Sequence, residues 1–514
     1  MKFRDLLHGV EASSVRGDAE VTAVEYDSRK VRPGSLFIAI RGESTDGNQY
    51  IKQALTQGAA AVVSDAPGVA GKVAGSAQSI ASAEVRHGRR AMAGISANFY
   101  QHPAQRLKVT GVTGTNGKTT TTFLIESLLQ SSGRSSALIG TIEYHIAARV
   151  VPSPHTTPES LELNKFFAEA VEAGATEAVM EVSSHALAQG RVWGIPYDVA
   201  VFTNLTRDHL DYHKTMEEYF GAKCSLFTGC GAQPPRVAII NVDDDYGRKL
   251  AELIRGGGSE VIGYGLGEGA GCRAVDIEYS PSGTRFRLQY RDLALSCNSP
   301  LVGEINVYNL MAAAMAAYAR GCSSEQIEDA IARFERVPGR FERVDAGQPF
   351  TVVVDYAHTD DALRNLIRIA RRILDSSKKT GRIITLFGCG GDRDRSKRPL
   401  MGRAAGEGSD FVVLTSDNPR SEDPMAIIRE AQAGLAQTQT RYVIEPERAK
   451  AIEIAIGEAR PGDIVLLAGK GHEKVQITRA GTFPFDDVEV ARLALAGIGH
   501  ENADHRRKKG VPVA

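Results

Sequence analysis

Cysteine is sparse in this chain, with six among 514 residues. The six show none of the paired spacing that a metal site would use, so we expect free thiols in a reducing compartment. Long apolar runs are missing too. The N-terminus lacks the hydrophobic core of a secretion signal, and no stretch reaches the length of a membrane span. We therefore expect a cytoplasmic protein that does not insert into a membrane.

A surplus of either charge is also missing. The 61 Lys and Arg residues oppose 62 Asp and Glu residues, which gives a formal net charge of -1. No global basic field can gather nucleic acid or an anionic membrane, so any anion site must be local. The composition, 42% hydrophobic and 24% charged, is typical of a globular protein, and the length predicts roughly three domains.

Residues 109–120, VTGVTGTNGKTT, form a candidate anion site. An apolar run breaks into glycines and then into an amphipathic segment, which predicts a strand, a tight loop and a helix reaching about Gly133. Loop amides would face a phosphate, Lys118 would add a cation, and the Thr119 hydroxyl would reach Mg2+. Val112 departs from the general phosphate-loop pattern, which has glycine there. The alternative is an ordinary Gly/Thr turn of a parallel sheet.

Hydrophobic patterning divides the chain into α/β segments. From 108 to 338, strand and helix patterns alternate as in a doubly wound sheet, and they alternate again from 339 to 498. Residues 1–107 form a smaller unit with a strand at Leu36–Ile40. Residues 499–514 are basic and lack a core pattern, which predicts a disordered tail.

Several polar residues follow predicted strands of the middle segment. Glu181 and His209 should lie at the edge where the phosphate loop opens, because the carboxyl ends of parallel strands meet there. Both could bind Mg2+; alternatively, they are a strand-end charge and a helix-start histidine. Lys223, taken alone, is typical of a solvated helix. Asn306 could cap its helix or bind a nucleobase.

Polar ligands are also possible outside the middle segment. Ser28 precedes a strand and could hold a phosphate, although its chemistry alone favours a solvated loop. In the third segment, loops rich in Gly, Arg, Asp and His follow the strands, which indicates a binding face. These loops are residues 355–358, 388–395, 417–420 and 469–473. We discount NAD, since no ribose carboxylate matches the glycines of 388–391.

In their order along residues 1–498, these motifs resemble those of the Mur ligases of bacterial peptidoglycan synthesis. The resemblance rests on residues 27–29, 113–120, 181–185, 204–210, 339–342, 355–358, 390–394, 417–420 and 469–473. It also accounts for Val112, because the family's phosphate loop is Gly114-Thr115-Asn116-Gly117-Lys118-Thr119 and does not need the earlier glycine.

The resemblance implies a three-domain α/β fold. Its parts are a UDP-sugar-binding domain (1–107), a central P-loop ATPase-like domain with a parallel sheet (108–338) and a Rossmann-like, amino-acid-binding ligase domain (339–498). It also implies an ATP-dependent ligase that joins an amino acid to UDP-N-acetylmuramoyl-L-alanyl-D-glutamate through an acyl phosphate. We expect a monomer that acts on small molecules in cytoplasmic cell-wall precursor synthesis.

The resemblance assigns ATP, Mg2+ and catalysis to specific residues. The ATP site would comprise Gly114, Thr115, Asn116, Gly117, Lys118, Thr119, Thr120, Asn306, Arg340 and Asp355. The metal ligands would be Thr119, Glu181, His209 and Lys223, and the catalytic set Lys118, Glu181, His209 and Lys223. Lys223 would be carbamylated (N6-carboxylysine), because a carbamate can hold a metal that an ammonium would repel. This reverses the expectation of a solvated Lys223.

The other substrates are assigned in the same way. UDP-sugar-peptide contacts would be Ser28, Thr156, Thr157, Ser183, Gln189 and Arg191. A pocket for meso-2,6-diaminopimelate would comprise Arg393, Asp417, Asn418, Pro419, Arg420, Gly469 and Glu473. Arg420 could bind the distal carboxylate bidentately and Glu473 the distal ammonium, which would disfavour lysine. Asp360, where many relatives have proline, and residues 43–45 depart from the family pattern.

Two other interpretations remain open. A folylpolyglutamate-synthase-like enzyme would share the phosphate loop and the carbamylated lysine but would have no UDP-binding first domain. A nucleotide-operated switch would turn over ATP or GTP whether or not a muramoyl substrate is present.

Overall fold

The computed structural model describes residues 1–42, 45–73, 80–280, 282–376 and 380–508. The elements of the first unit are α1 (Phe3–Leu6), β1 (Ala12–Arg16), β2 (Ala23–Glu25), β3 (Ser35–Ala39), α2 (Ile51–Thr56), β4 (Ala61–Ser64), α3 (Val69–Val73), β5 (Ala81–Val85) and α4 (Gly88–Phe99). Its five described strands form one sheet in the order β1-β5-β4-β3-β2. All five residues of β3 are buried, as an interior parallel strand requires.

The second unit contains the longest sheet. Its elements are β6 (Lys108–Thr113), α5 (Lys118–Ser131), β7 (Ser136–Ile139), β8 (Glu143–Ile146), β9 (Arg149–Pro152), α6 (Ser160–Glu172), β10 (Glu177–Glu181), α7 (Ser184–Gln189), β11 (Tyr197–Phe202), α8 (Leu210–His213), α9 (Met216–Thr228), β12 (Val237–Asn241), α10 (Asp245–Leu253), β13 (Glu260–Gly265), β14 (Cys272–Ser280), β15 (Gly283–Tyr290), β16 (Leu293–Ser299), α11 (Glu304–Ala319) and α12 (Ser324–Arg333). Eleven described strands follow the order β16-β15-β14-β13-β12-β11-β6-β10-β7-β8-β9.

The parallel sheet predicted for this unit forms the centre of that order. Strands β14, β13, β12, β11, β6, β10 and β7 pair in parallel. The antiparallel strands β8 and β9 at one edge, and β15 and β16 at the other, were not predicted. In β15 and β16 buried and exposed residues alternate, as in a sheet that is solvated on one face.

The third unit repeats the alternation of strands and helices. Its elements are β17 (Glu342–Val344), β18 (Thr351–Asp355), α13 (Asp360–Ser376), β19 (Ile383–Phe387), α14 (Lys397–Gly408), β20 (Phe411–Leu414), α15 (Pro424–Leu435), β21 (Arg441–Ile444), α16 (Arg448–Gly457), β22 (Ile464–Ala468), β23 (Val475–Thr478), β24 (Gly481–Pro484) and α17 (Asp487–Lys508). Six described strands form the sheet β17-β18-β22-β19-β20-β21, and β23 and β24 form a separate hairpin. The alternation of strands and helices that was predicted from 339 to 498 is present in these elements.

The C-terminal segment differs from the prediction of a disordered tail. Helix α17 continues to Lys508, so residues 499–508 are helical. Extending an existing helix fixes one residue for each hydrogen bond gained, which is cheaper than starting a new helix. Residues 509–514 lie outside the described residues.

Two further expectations concern the whole chain. Each of the six cysteines is buried and not in a disulfide, as their spacing predicted. Among the described residues, none of the helices has the length and apolarity that crossing a membrane demands.

Candidate active site

The phosphate loop lies at the centre of the large sheet. Strand β6 pairs with β10 on one side and β11 on the other, so that Glu181 aligns with Val112 and Phe202 with Thr113. The loops after these strands therefore leave the sheet at the same edge, which is where the sequence pattern predicted a site. Val112 is a buried strand residue and takes no part in the loop.

Close packing fixes the conformation of the phosphate loop. The backbone amides of Thr115 and Asn116 donate to the carbonyl and the side-chain oxygen of Asn204, at 2.8 and 2.9 Å. Gly114 and Gly117 have φ angles of +145° and +89°, and a Cβ atom at Gly114 would lie 1.9 Å from the Thr203 hydroxyl. Only glycine fits there without moving the neighbouring loop.

Two lysines converge on this loop, half-buried Lys118 and buried Lys223. Lys118 Nζ donates to the carbonyls of Thr115 at 2.8 Å and Gly114 at 3.1 Å, and Lys223 Nζ donates to the Gly114 carbonyl at 2.8 Å. Burial lowers the pKa of both amines, and the charge of Lys118 lowers the pKa of Lys223 further. The prediction of a solvated Lys223 from its residue type is wrong: its side chain is 1% exposed, because α9 turns this face toward the loop.

Glu181 is the last residue of β10 and lies at the same edge of the sheet as the phosphate loop. Its carboxylate is fully buried and accepts from the Thr141 amide at 2.8 Å and the Thr141 hydroxyl at 3.0 Å. His209 has a left-handed backbone, with φ of +53°, and its ring lies 4.9 Å from that of His185. Burial lowers the pKa of His209 to about 3, which leaves the imidazole neutral at pH 7.

One cavity of about 450 Å3 brings most of the predicted residues together. The predicted residues that line it are Gly114, Thr115, Asn116, Gly117, Lys118, Thr119, Thr120, Thr156, Thr157, Glu181, Ser183, Arg191, His209, Lys223, Asn306, Arg340, Asp355 and Arg393. The predicted residues outside its lining are Ser28, Gln189, Asp417, Asn418, Pro419, Arg420, Gly469 and Glu473. The cavity therefore joins the phosphate loop to the third unit.

Direct contacts connect the third unit to the phosphate loop. Arg340 donates from Nη2 to the Thr119 hydroxyl at 3.1 Å, and its guanidinium lies 4.7 Å from the centre of the Tyr356 ring. The side-chain amide of Asn116 donates to Asp361 at 2.8 Å. Sequence reasoning missed Tyr356 and Asp361 as site residues, although Tyr356 stands within a motif and Asp361 follows one.

Asp355 and Asn306 are held by local hydrogen bonds. The two oxygens of Asp355 accept from the backbone amides of Phe341 at 2.7 Å and Ala357 at 2.8 Å. The Asn306 side chain donates to the Val302 carbonyl and accepts from Asn309. These bonds orient both side chains where they line the cavity.

The predicted muramoyl-peptide residues form a hydrogen-bonded group beside Glu181. Arg191 donates to the Thr157 carbonyl at 3.0 Å and to Gln189 at 2.8 Å, and it lies 3.2 Å from Glu159. Glu159 also pairs with Arg89 of the first unit, at 3.3 Å. This pair of contacts ties the first unit to the wall of the cavity.

Ser28 lies away from that cavity in the first unit. It is 7% exposed and donates to Gln53 at 3.1 Å, so the expectation of a solvated loop is wrong for this residue. A short 3-10 turn, Ser28–Lys30, buries its side chain. Of the departing loop at 43–45, residues 43 and 44 lie outside the described residues.

The predicted amino-acid residues of the third unit form a compact charged cluster. Asn418 donates to Glu473 Oε2 at 2.7 Å, and the Arg420 guanidinium donates to the Gly391 carbonyl at 2.8 Å. Burial raises the pKa of Glu473, and the neighbouring Asp417 carboxylate raises it further. Burial lowers the pKa of Arg420, and the nearby Arg393 lowers it further. Arg393 belongs to both this cluster and the cavity.

The donor set at the phosphate-loop edge fits a magnesium ion better than a metal held wholly by protein. No group of three or more His, Cys, Asp or Glu side chains in the described part of the chain is arranged to hold a metal. Glu181, Thr119 and His209 nevertheless line the same cavity. Mg2+ is commonly bound through one or two carboxylates, with waters and substrate phosphates completing its coordination.

Family models match three parts of the chain. Residues 20–102 match the model described as Mur ligase family, catalytic domain; residues 112–317 match Mur ligase middle domain; and residues 339–471 match Mur ligase, glutamate ligase domain. These matches fall within the segments 1–107, 108–338 and 339–498. The exact domain boundaries remain predictions.

Curated proteins match nearly the whole chain. A UDP-N-acetylmuramoyl-L-alanyl-D-glutamate--2,6-diaminopimelate ligase of Solibacter usitatus is 52% identical over 484 residues, which are 94% of each chain. The ligase of the same name from Geobacillus thermodenitrificans is 45% identical, over 96% of this chain and 99% of its own.

Solved structures show the same likeness. A ligase of that name is 34% identical, with a TM-score of 0.67, over 97% of this chain and 99% of its own. The MurF ligase of Thermotoga maritima in complex with ADP (20% identical, TM-score 0.62, over 92% of this chain and 96% of its own) shares the fold. So does a folylpolyglutamate synthase of Mycobacterium tuberculosis (18% identical, TM-score 0.60), over 74% of this chain and 92% of its own.

Proposed function

The chain belongs to the Mur ligase family, and from this premise we propose that it adds meso-2,6-diaminopimelate to the D-glutamate of UDP-N-acetylmuramoyl-L-alanyl-D-glutamate with cleavage of ATP to ADP. The observation that carries the proposal is the shared cavity, which is lined by the phosphate loop, Lys223 and Glu181 of the second unit and by Arg340 and Arg393 of the third. A triphosphate, a carboxylate and an amine can therefore meet between two units.

The first step joins two anions. A carboxylate oxygen of D-glutamate attacks the γ-phosphorus of ATP, the bond to the bridging oxygen breaks, and ADP leaves as an acyl phosphate forms. Lys118 and Arg340, both on the cavity wall, would offset the charge that develops on the transferred group. The loop amides would hold the other phosphates at the N-terminus of α5.

The second step forms the amide bond. The neutral amine of diaminopimelate attacks the acyl carbon and forms the N–C bond; the nitrogen then loses one proton to solvent or phosphate, and the tetrahedral intermediate breaks its C–O bond to expel inorganic phosphate. Water would hydrolyse the acyl phosphate, so the walls that the second and third units supply are needed to exclude it. Arg340 and Asn116, which contact Thr119 and Asp361, connect these walls.

Mg2+ would be held by Glu181, Thr119 and His209. When bound, it would supply positive charge that neutralises the phosphate oxygens. Thr141 supports this role of Glu181, because its amide and hydroxyl fix both carboxylate oxygens.

We include carbamylation of Lys223 in the proposal. Burial and the neighbouring Lys118 lower the pKa of Lys223, which favours the neutral amine. Only the neutral amine can attack CO2; the new N–C bond forms, one proton leaves, and the carbamate carries a negative charge. That anion suits a site between Lys118 and a second metal ion.

We also assign the reaction to the cytoplasm and to a monomer. All six cysteines are buried thiols outside any disulfide, which suits a reducing compartment. The reaction steps above use only residues of a single copy, and on this ground we propose a monomer.

A coupled assay of ADP release tests the function. The full chain should release ADP only when UDP-muramoyl dipeptide, meso-diaminopimelate and ATP are all present, and L-lysine should be a poor replacement. Release without the dipeptide would favour a nucleotide switch, and release with a folate substrate would favour folylpolyglutamate-synthase-like chemistry.

Lys118→Ala tests the role of the phosphate loop in this assay. We expect ADP release to fall at least about a hundredfold, since the variant loses a cation at the transferred phosphate. Lys249→Ala is the matched control, because Lys249 is an exposed lysine on α10. Near-normal turnover of the Lys118 variant would contradict the assignment.

A further inference from the structure

Lys470 is a fully buried lysine within the charged cluster of the third unit. Its side chain is 0% exposed. Its Nζ atom donates to Asn418 Oδ1 at 3.1 Å and to Glu473 Oε2 at 3.2 Å, and lies 3.7 Å from Asp417 Oδ1. A lysine with no exposed surface is rare unless it is paired, so these three partners account for its position.

The contacts of Lys470 determine which acceptor atoms are left for a ligand. Glu473 Oε2 accepts from both Lys470 and Asn418, whereas Glu473 Oε1 has no hydrogen bond to any of the described residues. Asp417 Oδ1 is buried and likewise has no hydrogen-bond partner in the described part of the chain. Lys470 thus holds one oxygen of Glu473, faces Asp417 without a hydrogen bond, and leaves Glu473 Oε1 and Asp417 Oδ1 as acceptors for a ligand.

Charge balance is the second observation. The cluster holds two carboxylates, Asp417 and Glu473, and three cations, Lys470, Arg420 and Arg393, so the carboxylates do not outnumber the cations. The distal centre of diaminopimelate carries one ammonium and one carboxylate and adds no net charge. Lysine would add one uncompensated positive charge beside buried Lys470 and half-buried Arg420, and such like-charge contacts are costly.

We propose that Lys470 is a specificity-determining residue, the resident counter-ion that makes this pocket accept a zwitterionic side-chain end and reject one that carries only a cation. The inference rests on the proposed function and deepens it. Without the charge of Lys470 the two carboxylates would face one positive charge fewer, and the ammonium of a lysine substrate would then be better compensated.

Replacing Lys470 tests this inference. Lys470→Met should lower the ratio of kcat/KM for meso-diaminopimelate to kcat/KM for L-lysine by about tenfold or more, with the KM for ATP changed less than about twofold. Lys470→Arg keeps the charge and should retain most of the ratio. Lys474→Met is the matched control, since Lys474 is 62% exposed and pairs with Asp486 outside the cluster.

A purely structural role would give a different result. Both kcat/KM values of Lys470→Met would then fall together, and an unchanged ratio would overturn the inference. If the unaltered chain showed no turnover dependent on diaminopimelate, the proposed function itself would fail. The two failures are therefore distinguishable.

If Lys470→Met does not fold, a measurement on the unaltered protein still tests the inference. L-lysine and its methyl isostere L-2-aminoheptanoate are compared as inhibitors against meso-diaminopimelate. We expect lysine to inhibit no better than the isostere, since Lys470 and Arg420 offset the attraction of the carboxylates. Inhibition by lysine more than about tenfold stronger would show a net negative pocket and overturn the inference.

Discussion

The buried ion pair of Arg448 and Asp487 allows a quantitative test of the third unit. Both side chains are 0% exposed, and two hydrogen bonds of 2.8 and 2.6 Å join them. Breaking a buried pair by removing one partner costs about 3–5 kcal/mol. Arg448 would still donate to the carbonyls of Ala468 at 3.0 Å and Ser416 at 3.4 Å. We therefore expect Asp487→Asn to cost about 3 kcal/mol, the lower end of that range.

Urea unfolding can isolate this effect. Trp193, the only tryptophan of the chain, lies in the second unit, so its fluorescence reports that unit, whereas circular dichroism reports all three. Asp487→Asn should move the dichroism transition to lower urea and leave the fluorescence transition in place. Each unit needs its own fit, because a multidomain chain need not unfold in two states.

The neighbouring aspartate provides a control. Asp486 pairs with exposed Lys474, and Asp486→Asn keeps an acceptor for the Val488 amide. We expect this variant to cost less than about 1 kcal/mol. The double variant Arg448→Met/Asp487→Leu should recover much of the loss, since no charge is left buried. Equal effects of the two single variants would refute the reasoning.

Three other predictions concern pH and substrates. Burial lowers the pKa of His145, but contacts of 2.8 and 2.9 Å with Glu126 and Glu143 raise it to about 9. The stability that this raised pKa contributes is fully present below about pH 6.5 and is lost as pH rises through 9. In His145→Gln, the unfolding midpoint should not show this fall with pH. Glu159 pairs with Arg89 and Arg191, so Glu159→Gln should raise the KM for the UDP substrate several-fold and leave the KM for ATP unchanged. Equal increases of the two KM values would contradict this. Arg420→Ala should raise the KM for diaminopimelate far more than that for ATP, and proportional increases would remove Arg420 from the pocket.

The central parallel strands could be predicted from the sequence because each is a short apolar run followed by polar residues. Glu181, for example, was predicted to follow such a strand at the sheet edge, and β10 ends at this residue. The edge strands β15 and β16 could not be predicted in the same way. Their alternating pattern indicates a strand but does not identify the strand that pairs with it, because pairing depends on contacts across the sheet.

The candidate site could likewise be predicted only where a local motif carries it. The chemistry of the phosphate loop follows from local order, so Lys118 was found from its motif. The burial of Lys223 and Lys470 depends on packing that a single sequence segment does not show. Residue type alone suggested a solvated Lys223, and only the family resemblance reversed that expectation. Asp361 follows a motif, but its partner Asn116 lies 245 positions away, and this contact cannot be read from the local sequence.

The position of β6 between β10 and β11 constrains how the protein is made. The phosphate loop takes its shape from Asn204, which the ribosome adds 88 residues after Asn116. At ordinary elongation speeds this gap lasts roughly 4–18 s. A nascent chain that ends before β11 has the glycines and Lys118 but lacks the neighbour that shapes the loop. We therefore expect the nascent chain to hold a nucleotide only after the later strand has been translated and has paired with β6.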